Sequence, residues 1–424
     1  MNSGQVGSKL WLEPANAEKP MSRRTRIVLI GSVFFSGWAL VRIGQINLTL
    51  SDIFLIIVFL TMLIRGQLNA RPFGQFTPYW YCGLGVMLLG LMIGSIAHNS
   101  LDRFLIVGAQ YLFGFLLVPM VFMGQQMTFM RSLVAVFVFG IAVSNLLGVS
   151  ASLLFEQSDV AALMGRGFVA GNGRVGAMTG EVNWNGAMVA FAVPMLIYSV
   201  QRRIMPSGIG IACGAILIWG MLASGSFTGF SATILAVSAY LVISGFGLLI
   251  RVALLGTTCA SLFLVSGLPL PQAFEDRVAG AVTSGDLNEA GTFTDRSVLI
   301  KEAWGMTEDH IVVGLGVDRL RRVSGHRTPV HEFHLLIWNE GGFLAFCGVI
   351  VLLLTMFGIA FLAASRSRNE GALILASVVV FNIYTFSIPH MFSRIWILPV
   401  LLAMSTYLAR RPNISSPDTH PGPL

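Results

Sequence analysis

His331, Glu332, His334 and Glu340 fall in one stretch, PVHEFHLLIWNEGGFLAFCGVIVLL at 329–353, where polar sequence gives way to lipid-soluble sequence. An imidazole there can accept a proton at neutral pH, because its ordinary pKa lies close to it. An acid inside an apolar run, such as Glu340, is costly and marks a surface turned towards protein or water. Upstream stand Arg296, Arg319, Arg321, Arg322 and Arg327, whose forked donors suit phosphate oxygens. A base beside cations is the equipment for group transfer away from an anionic leaving group: the base activates an acceptor, and the cations steady the departing charge. Each residue also has a structural alternative. The arginines could be solvated charges paired with neighbouring acids, and His331 could be a helix cap or an interface residue.

The elements that must position these residues are apolar. Of 424 residues, 55% are hydrophobic and only 11% charged, with a mean hydropathy of +0.76; a soluble domain carries roughly 25% charged residues. Apolar runs at about 27–44, 48–64, 79–97, 104–122, 131–154, 184–200, 208–224, 229–246, 249–268, 335–362, 371–388 and 392–409 approach the roughly 20 residues that span a bilayer. They are continuous rather than alternating, which excludes a transmembrane β-barrel. The expected fold is therefore an all-α polytopic membrane protein with about twelve transmembrane helices. Cys82, Cys213, Cys259 and Cys347 lie in or beside apolar runs without metal-type spacing and read as small hydrophobes. No metal and no cofactor is expected. The net charge of +7 points to loops on the cytoplasmic side of a membrane rather than to nucleic acid.

With the N-terminus inside, 15 of the 27 basic residues fall on the cytoplasmic side and only Arg42, Arg103, Arg166, Arg174 and Arg394 in short outer loops; the other seven occupy one long outer loop. That bias supports an even number of spans with both tails inside. The organisation expected is a cytoplasmic tail at 1–26, spans one to nine at 27–268 with a Gly-rich outer loop at 155–183, a large outer loop at 269–334, spans ten to twelve at 335–409 and a second cytoplasmic tail at 410–424. The large loop holds ten of the twenty acids. Within it, FTDRSVLIKEAWGMTEDHI has helical apolar spacing, and Arg296 stands at the opening of that helix, where an anion also finds backbone N–H groups.

An enzyme on the outer face of a bacterial inner membrane has no ATP, so a transfer there needs a donor that is already activated, and lipid-linked diphosphate sugars are the obvious class. Other polar intrusions into the apolar runs are Asp52, the group Glu181, Asn183 and Asn185, and Arg394, which is either an interfacial residue or a further phosphate contact.

At this point the chain becomes similar to a known family. From about 174 to 362 it resembles the O-antigen ligases and the Wzy-type O-antigen and exopolysaccharide polymerases. The resemblance rests on Arg296, on DHIVVGLG at 309–316, on HEFHLLIWNEGG from His331, with Glu340 and Gly341 at the family spacing, and on RVGAMTGEVNWNGA, which places Arg174, Gly176 and Asn183. There are two departures. Glu332 stands where the family has Asn, and Phe227 in SFTG stands where it often has an arginine; Arg174, Arg319 and Arg394 are the residues able to replace that cation.

The resemblance implies metal-independent, inverting glycosyl transfer at the periplasmic face, from an undecaprenyl-diphosphate-linked oligosaccharide. It implies that Arg296 binds the diphosphate, that His331 activates or orients the acceptor hydroxyl, and that Glu340 holds the histidine or the helix geometry. Arg174, Asn183, Arg319, His334 and Arg394 are the further substrate-binding candidates. Membrane lipid, a chain-length regulator and a flippase are the partners implied. Polymerisation of repeat units is the favoured reading; ligation of a finished glycan to lipid A core and solute transport stay open.

Overall fold

A computed structural model describes residues 21–43, 48–267, 269–285, 293–389 and 391–410; the expected tails at 1–26 and 410–424 lie almost wholly outside them. Each of the twelve apolar runs contains a helix. These are α1 (Arg23–Phe34), α2 (Leu50–Ile64), α3 (Thr77–Ala97), α4 (Leu101–Phe122, with a π turn at Phe113–Leu117), α5 (Met127–Leu154), α6 (Val182–Gln201), α7 (Ser207–Ser224), α8 (Phe227–Ser244) and α9 (Phe246–Ser266), followed after a further helix, α10 (Phe293–Asp309), by α11 (Phe333–Arg366), α12 (Arg368–Thr385) and α13 (Arg394–Leu408). Six of them, α3, α4, α5, α7, α8 and α11, are long and apolar enough to cross a membrane. Among the described residues the only strand pairing is Arg42–Ile43 with Leu48–Thr49. The predicted helix at Arg296 is α10. The Gly-rich loop at 155–183 contains a two-turn helix, Gln157–Met164.

Apolar residues surround α13 on every side, and from Arg394 to Thr406 it is buried throughout, as a helix without a polar face must be. Trp396 and Tyr384 stack at 5.4 Å, with Trp184 edge-on to Trp396 at 5.7 Å, so α6, α12 and α13 share one core.

The most extensive crossing pairs α3 with α11, antiparallel. Small residues allow it: a Cβ at Gly348 would lie 2.3 Å from Met87 N, and one at Gly90 2.5 Å from Ala345 N. Backbones can approach this closely only where no side chain intervenes. Higher on α11 the helix is broken at Gly342, where φ is +70° and ψ −172°. The strap 311–316 closes the break: Leu315 N–H donates to Asn339 O (2.7 Å), Gly316 N–H to Glu340 O (2.9 Å), and Phe343 N–H to Ile311 O (2.8 Å). Carbonyls freed by the missing turn thus find partners, as buried backbone groups must.

At the opposite end of the bundle the Glu370 side chain, fully buried, holds Arg131 (2.8 Å) and Arg202 (2.5 Å) and accepts from Tyr198 Oη (3.1 Å) and Ser367 Oγ. The two arginines counted as markers of sidedness are therefore also tied into packing between α5, α6 and α12.

Candidate functional site

The site is assembled from four separate parts of the chain. The loop 165–181 folds back on itself through an antiparallel bridge between Val169 and Val175 and is sewn to the end of α7 by Val175 N–H donating to Ala223 O (2.9 Å). This puts Arg174 inside, 6% exposed. Its Nε donates to Ser224 O (2.7 Å) and its Nη2 to Asn183 Oδ1 (3.2 Å). The same Asn183 oxygen accepts from Ser226 Oγ (3.3 Å), and Asn183 Nδ2 donates to Glu181 Oε1 (3.2 Å). Glu181 caps α6 by accepting Trp184 N–H at Oε2 (2.7 Å), the usual service of an acidic N-cap. Tyr384 Oη, at the end of α12, donates to Asn183 O (3.3 Å).

Arg277 and Arg296 enter this group from the 269–334 segment. Burial, then the field of Arg277, lowers the pKa of Arg174 to about 10, with Glu181 acting in the opposite sense. Burial and Arg277 also lower Arg296, while Glu181 and Tyr384 again oppose. Arg277 therefore stands in the field of both Arg174 and Arg296, and Glu181 is the counter-charge those two share. Burial raises the Glu181 carboxyl, and its hydrogen bonds from Trp184 and Asn183 and the nearby Arg174 offset that. His331 completes the group: burial, then the charge on Arg296, lowers its pKa, with the Pro329 carbonyl beside the ring in partial opposition. The imidazole is consequently neutral at pH 7. Its buried Nδ1 has no hydrogen-bond partner among the described residues. The arrangement holds a free basic nitrogen beside a crowded cationic surface.

α10 presents Arg296 because α11 grips it. Asn339 Nδ2 donates to Ala303 O (3.0 Å) and Thr307 Oγ1 (2.7 Å), Trp304 packs edge-on against Trp338 at 6.1 Å, and Ala303, Leu315, Leu320, Val330, Leu335 and Leu336 form a small core. His331 sits two residues before α11, whose N-cap Glu332 accepts His334 N–H (3.2 Å) and Leu335 N–H (2.5 Å). Glu332, at the position where the resembled motif has Asn, thus serves as the N-cap.

The remaining candidates lie elsewhere. Glu340 does not touch His331; its Oε1 accepts Asp318 N–H (2.7 Å) and so fixes the strap that leads to Arg319, while Asp318 pairs with Arg103 at 3.0 Å. His334 Nδ1 is held by Glu332 Oε1 (2.7 Å), and its ring lies 4.9 Å from that of Phe386. Arg319 donates to His98 O. Arg394, fully interior, pairs with Asp52 (Nε–Oδ1 2.5 Å) and also donates to Thr49 Oγ1. Of the three arginines able to replace the cation missing at Phe227, Arg174 is the one that reaches the Ser224–Ser226 turn.

The sequence reading missed Arg277, Tyr384 and Ser226. Arg277 lies in a short π turn, Glu275–Ala279, with no motif around it, and Tyr384 in an apolar run reads as packing.

No family model matches the chain, and no curated protein matches it by sequence.

Proposed function

We propose that the protein is a glycosyltransferase of the inner membrane, with twelve spans and the 269–334 segment on the periplasmic face, which polymerises repeat units of a surface or exopolysaccharide from an undecaprenyl-diphosphate-linked donor. The observation that carries this reading is the buried Arg174, hydrogen-bonded to Asn183 beside Glu181, in the field of Arg277 and near enough to Arg296 to share Glu181 with it, with the unpartnered His331 Nδ1 next to Arg296. Crowded, part-buried cations favour a multiply charged anion, because low dielectric strengthens that attraction, and a diphosphate fits the need. In the reaction, His331 takes the proton of the acceptor hydroxyl. The oxygen attacks the anomeric carbon, the bond to the diphosphate breaks with inversion, and the arginines steady the departing charge. Asn183 and Tyr384 hold the loop that carries Arg174.

The test is a glycan profile from a deletion strain complemented with variants. His331→Ala and Arg296→Ala are expected to insert normally and make no polymer; wild-type polymer from either refutes the assignment. Accumulation of single repeat units in the deletion strain supports polymerisation, whereas long unattached chains mark a ligase. Solute uptake by reconstituted vesicles, with no glycan phenotype, marks a transporter.

A further inference from the structure

Beside His331 lies a second cationic feature that the reaction above does not use. Arg321, Arg322 and Arg327, with Thr328 and Pro329, line an open hollow of about 560 Å³, within the range of roughly 300–1,000 Å³ typical of small-molecule sites. None of the three arginines makes an ion pair among the described residues. Glu302, the acid of α10 that reaches the adjoining turn, is already engaged: it accepts Gly325 N–H (2.7 Å) and Ser324 Oγ (3.0 Å).

The walls are fixed rather than loose. Arg321 and Arg322 ride on the short helix Leu320–Val323. Leu320 at its start and Val330 after the hollow are both buried in the small core under α10. Ser324 and Arg327 are joined by Arg327 N–H donating to Ser324 O (3.1 Å), with Arg327 held at φ +52°. Exposed arginines are ordinarily solvated and point apart; here three converge on one concavity whose last lining residue, Pro329, has its carbonyl beside the His331 ring.

We infer that this hollow is the acceptor subsite and that the acceptor is an acid-substituted saccharide, whose carboxylate or phosphate is held by Arg321, Arg322 and Arg327 while its hydroxyl reaches His331. The inference rests on the transferase reading for the role of His331, but binding to the hollow is measurable without turnover. Arginine suits the task because its fork engages both oxygens of a carboxylate. A sugar, rather than a lipid headgroup, is the occupant because the hollow stands on the polar segment before α11, with Thr328 as the remaining polar wall and no apolar side chain but Pro329 to receive an acyl chain.

The experiment uses the full-length purified protein and two probes of equal length, trigalacturonate and maltotriose, with binding followed by thermophoresis at low salt. Trigalacturonate is expected to bind, and maltotriose to bind at least about tenfold more weakly, the scale of one good charge-assisted contact. The triple variant Arg321→Gln, Arg322→Gln, Arg327→Gln is expected to lose that preference, whereas Arg321→Lys, Arg322→Lys, Arg327→Lys retains part of it, which separates lost charge from lost fold. Equal binding of the two probes, or full retention by the glutamine variant, overturns the inference. Displacement of trigalacturonate by glycerol phosphate at the same concentration as by itself marks a headgroup site and overturns it as well. A failure here leaves the His331→Ala and Arg296→Ala glycan profiles untouched, so the two readings fall separately.

Discussion

Glu340 offers the sharpest separation between chemistry and positioning. Its Oε1 accepts Asp318 N–H at 2.7 Å, and the residue is 8% exposed. Glu340→Gln keeps an acceptor oxygen at that place. The exchange of one acceptor oxygen for another costs at most about 1 kcal/mol. Glu340→Ala leaves the Asp318 N–H without its acceptor and opens a void against α3, a cost of about 2–4 kcal/mol. The strap 311–316 and the Asp318 turn after it then loosen, and with them the segment leading to Arg319 and His331. Unfolding free energy in a detergent titration should rank wild type and Glu340→Gln together, with Glu340→Ala well below. The glycan profile should follow the same order. If Glu340→Gln is as unstable as Glu340→Ala, an acceptor oxygen at that place is not what holds the strap, and the reasoning fails. If Glu340→Gln is stable yet makes no polymer, Glu340 takes part in the reaction itself.

Three further outcomes are expected. Because burial and Arg296 lower the His331 pKa, the folded protein resists protonation there; polymer formation should hold through the ordinary histidine value of about 6.5 and fall only below it. The stability contributed by the neutral ring is present above that value and lost as pH falls beneath it, so His331→Gln should flatten the acid side of a pH–stability curve; a wild-type acid limb centred above 6.5 contradicts this. Asp52→Asn strands the interior Arg394 and should cost about 3–5 kcal/mol, whereas Asp52→Asn with Arg394→Met should recover most of it, measured by the same detergent titration; an Asp52→Asn variant that is stable but inactive would restore Arg394 as a substrate contact. Gly348→Val forces a Cβ to within 2.3 Å of Met87 N and should destabilise by at least about 3 kcal/mol or abolish insertion, while Gly85→Ala, which meets nothing within 4 Å, should be silent.

The helices were legible because each apolar run is long and continuous, and a run of that kind has few alternatives. The helix at Arg296 was legible from its periodicity. The grouping of Arg174 with Asn183 was visible only as nearness in the chain. What places Arg277 in the same field is the return of the 269–334 segment across the bundle, and spacing carries no trace of that. Glu340 and Arg394 show the reverse limit. An ionisable residue in an apolar run announces that it has a partner, yet Asp318 N–H for one and Asp52 for the other could not be told from a substrate, because burial demands satisfaction whatever supplies it. Glu332 looked like a departure from a motif, whereas the backbone N–H groups of His334 and Leu335 require only some acceptor at that place.

The interruption at Gly342 also acts as a ruler. All 34 residues of α11 exceed what a bilayer needs, but the stretch after the break, roughly 24 residues or about 36 Å at 1.5 Å per residue, matches a hydrocarbon slab crossed at a modest tilt. The turns before it are surplus to that length, and His331 sits two residues ahead of their first residue. The distance of the imidazole from the apolar stretch is thereby gauged by a residue count. Adding one residue below Gly342 would lift the head by about 1.5 Å and swing it by about 100°, out of step with the strap that now closes the break.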